Sequence, residues 1–261
     1  MFDLHLEKIG AQGASFQVAE IPWDTKLFGY PVAEVKSFDL GLGTQQTIGF
    51  DSLGEWLKNH DIKLCSVRIP LDRVSDIHAF EAFGFRFVEL DYSPILKNLQ
   101  DLEVQADDSL VISVASSADQ AALERIADGG FPFGRFHQDP RIDSQMGDKR
   151  YSQWVTNAFA NSQQEVLKVT QNQAIVGFFV NEYPDDHSTF WSLTAISKEF
   201  RGASMGKRAW KAMIAREKSN HRQTISTSIS SHNIPVMNLY VSLGFRFPAP
   251  VVTLHWKVWL R

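Results

Sequence analysis

The stretch Phe200-Arg201-Gly202-Ala203-Ser204-Met205-Gly206-Lys207 decides the fold when it is read with Asn233-Ile234-Pro235-Val236-Met237-Asn238-Leu239-Tyr240 further along the chain. Glycines let a backbone turn sharply and approach a ligand closely. A helix start leaves several N–H groups without partners, and its dipole favours an anion there. From Met205 onward the apolar residues Met205, Ala209, Met213 and Ile214 recur at helical spacing, which predicts a helix opening at the glycine turn. Arg201 and Lys207 add positive charge beside it. The first stretch is therefore a candidate pyrophosphate cradle, although a surface turn before an ordinary helix reads the same in isolation.

The second stretch adds chemistry. Asn233 ahead of Ile234-Pro235 is a helix start with an Asn cap and an early proline. Val236, Leu239, Tyr240 and Leu243 form one apolar stripe, and Gly244 stops the helix. Residues 245–259 read as extended, with Val251, Val252, Thr253, Trp256, Val258 and Trp259 favouring strand. A strand over 189–196 feeds the glycine turn. On the residues alone, Asn233 as a plain cap and Tyr240 as a packing side chain stay open.

Together the two stretches resemble the signature of the GCN5-related N-acetyltransferases (GNAT), which move an acyl group from coenzyme A to an amine. The resemblance implies an α/β GNAT fold, a mixed twisted sheet flanked by helices, and acetyl-CoA or another short acyl-CoA as cofactor. It implies that Leu193, Thr194, Ala195, Ile196, Arg201, Gly202, Ala203, Ser204, Met205, Gly206, Lys207 and Asn233 line the coenzyme. It places Tyr240 near the sulfur, as general acid to the departing thiolate. A backbone N–H of the 193–196 strand would then serve the oxyanion. One departure stands out: the family usually has glycine where this chain has Ser204, whose Cβ restricts the backbone.

An internal repeat organises the rest. Ala79-Phe80-Glu81-Ala82-Phe83-Gly84-Phe85-Arg86-Phe87 aligns with Leu239-Tyr240-Val241-Ser242-Leu243-Gly244-Phe245-Arg246-Phe247. Upstream, helix 52–59 and strand 63–69 match helix 205–219 and strand 223–229. Phe80 stands where Tyr240 stands, and Arg73 where Asn233 stands. The counterpart of the glycine turn, Asp39-Leu40-Gly41-Leu42-Gly43-Thr44, has no Lys or Arg. The expectation is a truncated, non-catalytic GNAT-like domain over 1–98, a polar acidic linker, and a complete catalytic domain over 108–261. In the latter, 110–114 reads as strand, 118–127 and 151–160 as helices, and 165–170 and 174–180 as a hairpin about 171–173.

Two more stretches narrow the acceptor. Pro22-Trp23-Asp24-Thr25-Lys26-Leu27-Phe28-Gly29-Tyr30 and Gly134-Arg135-Phe136-His137-Gln138-Asp139-Pro140-Arg141 are similar to segments of the dTDP-amino-sugar N-acyltransferases of the TDP-fucosamine acetyltransferase type. That resemblance implies a nucleotide-linked amino-dideoxy sugar as acceptor. Trp23, Phe28, Phe131, Phe133 or Phe136 are candidates to stack on its base, Arg135 and Arg141 to meet its phosphates, and His137 to act as base. Each has a plain structural reading beside it: an aromatic staple, a loop ion pair, a buried histidine.

Composition sets bounds. The chain has 261 residues, 44% hydrophobic and 21% charged, with a net charge of -4. That is enough for real cores, and it argues against a broad nucleic-acid surface. The lone Cys65 excludes an internal disulfide. No apolar run reaches membrane-spanning length, and no signal-like start appears, so a cytoplasmic protein without membrane insertion is expected. His187 with Asp185-Asp186 reads as a hairpin tip, so no metal site is expected. A homodimer is left open. The competing functions are a GNAT acetyltransferase for a peptide, polyamine or antibiotic amine, and a non-catalytic acyl-CoA-binding module.

Overall fold

The computed structural model describes residues 4–11, 14–41, 45–105, 107–202 and 204–258. Its first elements are β1 (Glu7–Ala11), β2 (Ala14–Glu20), α1 (Pro22–Phe28), β3 (Val32–Asp39), α2 (Gln45–Asn59), β4 (Leu64–Pro70), α3 (Val74–Phe83) and β5 (Arg86–Tyr92). Next come β6 (Ile95–Lys97), β7 (Leu110–Val114), α4 (Gln120–Ala127), α5 (Arg135–Gln138), α6 (Ser144–Ala160), β8 (Gln164–Gln171), β9 (Ala174–Asp185) and β10 (Ser188–Ile196). The chain closes with α7 (Met205–Ser219), β11 (Thr224–Thr227), β12 (Ile229–Ser230), α8 (Ile234–Ser242) and β13 (Val251–Lys257).

The chain forms two compact units, and a single cut between 98 and 108 does not separate them. One unit holds Met1–Asp91, Arg135–Met146 and Ala249–Arg261; the other holds Tyr92–Gly134 and Gly147–Pro248. The reason lies in the sheets. In the first unit the strands run β1-β2-β3-β4-β13-β5, so the last strand of the chain fills the slot between β4 and β5. It pairs antiparallel with both, Leu254 opposite Val67 on one side and Phe87 on the other. In the second unit the order is β6-β11-β10-β9-β8-β7, so the strand that follows the first repeat borders β11. Each unit thus receives the strand that follows the other's repeat. Of the expected extended run over 245–259, regular strand covers Val251–Lys257, and Trp259 lies outside the described residues.

The first unit's core is aromatic. Phe80 is fully buried and meets Phe16, Phe38, Phe50 and Phe85 edge-on at 4.9–6.1 Å. Cys65 lies in the same core, where burial and the Glu34 charge push its thiol well above the usual range. The second unit's main core gathers Trp191, Trp210, Phe179, Tyr240 and Phe245. Both repeat helices stop at glycines with positive φ, Gly84 at 121° and Gly244 at 88°, a region that favours glycine. The β8–β9 hairpin turns through Asn172 and Gln173, at φ 49° and 67°, as a tight two-residue turn requires. Among the described residues, no helix is long and apolar enough to cross a membrane.

Candidate active site

The site in the second unit is a fork between two parallel strands. β10 and β11 pair from Ser188/Thr224 to Trp191/Thr227. There β11 ends, whereas β10 runs on to Ile196. The Thr227 hydroxyl donates to the Trp191 carbonyl at 2.8 Å and fastens the fork. At the same level β10 carries a bulge: Trp191 faces Asn181 and Leu193 faces Val180, which leaves Ser192 as the extra residue. Bulges bend a strand and re-aim its groups, and they are frequent beside active sites. Beyond it, Leu193, Thr194, Ala195 and Ile196 stay paired to β9. In an antiparallel ladder alternate N–H groups point away from the partner strand, here toward the side that β11 has left.

The segment after β10 makes a turn into α7. Arg201 folds back, donating from Nε to the Ile196 carbonyl at 3.3 Å and from Nη2 to the Gly130 carbonyl at 3.4 Å. Its guanidinium thus braces the end of β10 against the loop after α4. Gly202 takes φ 100°, and Ser204 takes φ 59°, ψ 19°, a left-handed conformation at the N-cap. The chain therefore adopts at Ser204 the backbone that glycine supplies elsewhere. Ala203 lies outside the described residues. Met205 is buried, and Gly206 and Lys207 fill the first turn of α7, where backbone N–H groups lack helical acceptors. α8 packs beside Gly206: a Cβ there would meet Leu239 Cδ2 at 3.6 Å, an ordinary contact.

α8 brings Tyr240 to the fork. Asn233 caps it, its side chain accepting from the Val236 N–H at 3.4 Å, so the plain capping role is realised. Tyr240 is 2% exposed and packs against Phe245 at 4.8 Å and Trp210 at 6.4 Å. Burial raises its hydroxyl above the ordinary phenol range, while Trp210, Thr227 and Thr194 pull weakly the other way. A phenol so placed holds its proton at neutral pH. Trp210, Thr227 and the Ser192 bulge were not singled out from sequence. A threonine at an inward position of the expected 223–229 strand was the available signal for one of them.

Of the acceptor-side candidates, Trp23, Phe28, Arg135, Phe136, His137 and Arg141 belong to the first unit, whereas Phe131 and Phe133 belong to the second. Phe28 of α1 meets Phe136 of α5 edge-on at 5.0 Å, and Trp23 packs into the same cluster. Arg135 is 9% exposed; it reaches Asp24 at 3.4 Å, Glu34 at 3.9 Å and the Ser66 hydroxyl at 3.3 Å. Arg141 grips Asp139 with two bonds of 2.9 Å and donates to the His255 carbonyl at 3.0 Å. Two short stretches more than a hundred positions apart thus meet, and their arginines turn toward internal carboxylates. Asp139 is thus a partner of Arg141, and Asp24, Glu34 and Ser66 lie beside Arg135. His137 is half-buried on α5.

Comparison with known proteins agrees with this geometry. Residues 141–256 match the family model of the acetyltransferase (GNAT) domain. No curated protein sequence matches the chain. Among solved structures, a tandem GNAT protein from the clavulanic acid biosynthesis pathway superposes with a TM-score of 0.62 at 12% identity, over 95% of this chain and 80% of that one. A GCN5-related N-acetyltransferase from Sphaerobacter thermophilus gives 0.61 at 11% identity, over 95% and 81%. The glucosamine N-acetyltransferase region of a fungal multi-domain GH3 β-N-acetylglucosaminidase gives 0.66 at 12% identity, over 94% of this chain and 31% of that chain. GNAT acetyltransferases draw their acyl group from acetyl-CoA or another acyl-CoA, and the forked strands and glycine turn fit such a group. The chain therefore has the α/β GNAT fold, and its residues 141–256 match the GNAT acetyltransferase domain model.

Proposed function

We propose that this protein is an acyl-CoA-dependent N-acyltransferase whose acceptor is the amine of a nucleotide-linked (dTDP) amino-dideoxy sugar. The observation that carries the transferase reading is Tyr240, a buried phenol held protonated at the fork of β10 and β11. Bound acetyl-CoA supplies an acyl group activated as a thioester. The α7 N-terminus with Lys207 would hold the pyrophosphate, and Asn233 would flank it from the α8 cap. N–H groups of the 193–196 strand donate to the carbonyl oxygen as it gains charge. The neutral amine would attack the thioester carbonyl, forming the C–N bond and giving up its extra proton to solvent, while the C–S bond breaks and Tyr240 gives its proton to the sulfur; solvent would then restore the phenol. Phe80, ringed by four phenylalanines, offers no such proton, so catalysis belongs to the second repeat.

Two findings support an amino-sugar acceptor. The stretches around Trp23 and Arg135 resemble dTDP-amino-sugar N-acyltransferases, and they pack together. A structure of the same fold is a glucosamine N-acetyltransferase region. Trp23, Phe28, Arg135, Phe136, His137 and Arg141 are the proposed acceptor-side residues. The test is thiol release from acetyl-CoA with a panel of dTDP- and UDP-amino sugars, with spermidine and a peptide amine as controls. Turnover confined to dTDP-amino sugars is expected. Turnover with a control amine alone would discard the acceptor and keep the transferase.

A further inference from the structure

β9 lies beside the 193–196 strand, and it departs from a regular ladder on both of its edges. Against β10 the extra residue is Ser192, whose hydroxyl donates to the Val180 carbonyl at 3.1 Å. Against β8 the extra residue lies in β9 itself: Val169 faces Gly177 and Thr170 faces Ile175, which leaves Val176 over. A bulge bends its strand and sharpens the local twist. Gly177 stands between the two irregularities, buried, opposite Ile196 of β10.

Gly177 has no room for a side chain. A Cβ there would stand 2.6 Å from the Ala195 carbonyl oxygen, 2.7 Å from Ile196 Cδ1 and 3.3 Å from Ile196 Cα. The first of these is backbone and cannot swing aside. Gly177 is not among the glycines with positive φ, so it serves a close approach of two strands and not a turn. That contact fixes the direction of one peptide. The Ala195 oxygen is turned toward β9, and the bond to Ile196 is trans, so the Ile196 N–H points the opposite way. Two neighbours agree. The Ser197 N–H donates back to the Val176 carbonyl of β9 at 2.9 Å. The Ile196 carbonyl, on the far side, accepts from Arg201 Nε at 3.3 Å. Successive residues of an antiparallel strand alternate in this way, so Ile196 faces the side that β11 has left.

We infer that Gly177 is a positioning residue for acyl transfer: its missing side chain lets the Ala195 carbonyl press onto β9, and the same peptide then presents the Ile196 N–H to the fork as donor to the thioester oxygen. A donor held in place before charge develops costs no reorganisation when it does. With a larger residue at 177 the Ala195–Ile196 peptide must tilt away from β9, and the N–H turns with it. This deepens the acyl-transfer reading above and rests on it for what occupies the fork.

The test uses G177A and G177A/I196V in the full chain. The second variant lacks Ile196 Cδ1, so it keeps only the clash with backbone. Thiol release from acetyl-CoA with the amine panel above should show kcat lower by about 10- to 100-fold in both, with acetyl-CoA affinity by calorimetry nearly unchanged. Isotope-edited infrared spectra of bound acetyl-CoA need no acceptor. The thioester carbonyl should absorb at lower frequency on the parent than in free acetyl-CoA, and should return toward the free value on both variants. An equal shift on parent and variants overturns the role and leaves the transferase reading standing. Should neither variant fold, NMR of the parent with labelled isoleucine decides. The Ile196 amide proton should move downfield as acetyl-CoA is added, and one that stays in place overturns the role. A carbonyl shift that depends on Gly177, without thiol release from any amine of the panel, would sink acyl transfer and keep the N–H aimed at the fork.

Discussion

Tyr240 illustrates how position gives a common side chain a particular chemistry. Its repeat counterpart Phe80 is as deeply buried and meets four phenylalanine rings, whereas Tyr240 has Thr194, Thr227 and Trp210 near its oxygen. Tyr240→Phe should lower kcat by about 10²- to 10³-fold, the usual worth of a positioned acid, with little change in acetyl-CoA affinity. Steady-state kinetics with a separate coenzyme titration would show it, and equal activity would remove the acid. Because the phenol's pKa is raised, its folded form keeps the proton longer than the unfolded chain does. Its ionisation therefore costs stability only above pH 10, and no tyrosine limb should enter the rate profile below that. Ser204 makes the complementary case. A serine at φ 59° carries a strain of about 1 kcal/mol, partly offset by the entropy a glycine would lose. Ser204→Gly should leave stability within about 1 kcal/mol of the parent or raise it. Ser204→Val, β-branched in the same region, should cost about 1–3 kcal/mol. Thermal melts of both variants would show the contrast.

At the scale of elements, α7 is fixed at its far end by an unusual buried carboxylate. Glu217 is 0% exposed and receives Thr189 Oγ1 at 2.6 Å, Asn181 Nδ2 at 3.2 Å and Arg216 Nη1 at 3.0 Å. These bonds tie the helix to β9 and β10, so its other end points at the fork. Glu217→Ala should cost about 2–4 kcal/mol, since it strands several polar partners in the core. Denaturant midpoints would measure the loss, and a neutral result would show that the helix is held by Trp210 and its apolar neighbours alone. The elements of the second repeat were legible in the sequence because each has a local signal: the Asn233 cap, the Gly244 stop, the β8–β9 turn residues, the apolar period from Met205. The start of α6 was missed. Asp143 caps it through the Gln145 N–H at 3.0 Å, but the polar residues after it carry no apolar period. The fork of β10 and β11 was not legible either. It arises from where one strand stops relative to another, and no local residue pattern encodes that.

At the scale of the whole molecule, the units are defined by pairing rather than by sequence order. The first sheet is finished by β13, more than 150 positions after β5 in the chain. A sequence repeat shows two similar halves, but it cannot show which strand each half receives, because the pairing partners carry no mark of their distance. Deleting residues 249–261 should therefore unfold the first unit, which those residues complete, although they follow the proposed acetyl-transfer residues of the second. Hydrogen exchange on the truncated chain should show protection lost across β4 and β5. Native-like protection there would refute the dependence. The same arrangement sets a timetable for birth on the ribosome. At about 5–20 residues per second, β4 and β5 wait on the order of ten seconds for β13 to be made. Throughout that interval both present open edges, the surface on which strands of other chains can pair. The delivery of residues 251–257 is thus a structural event: it closes a sheet whose other strands lie among residues 7–92, and synthesis halted before that point yields an adhesive product rather than a smaller folded unit.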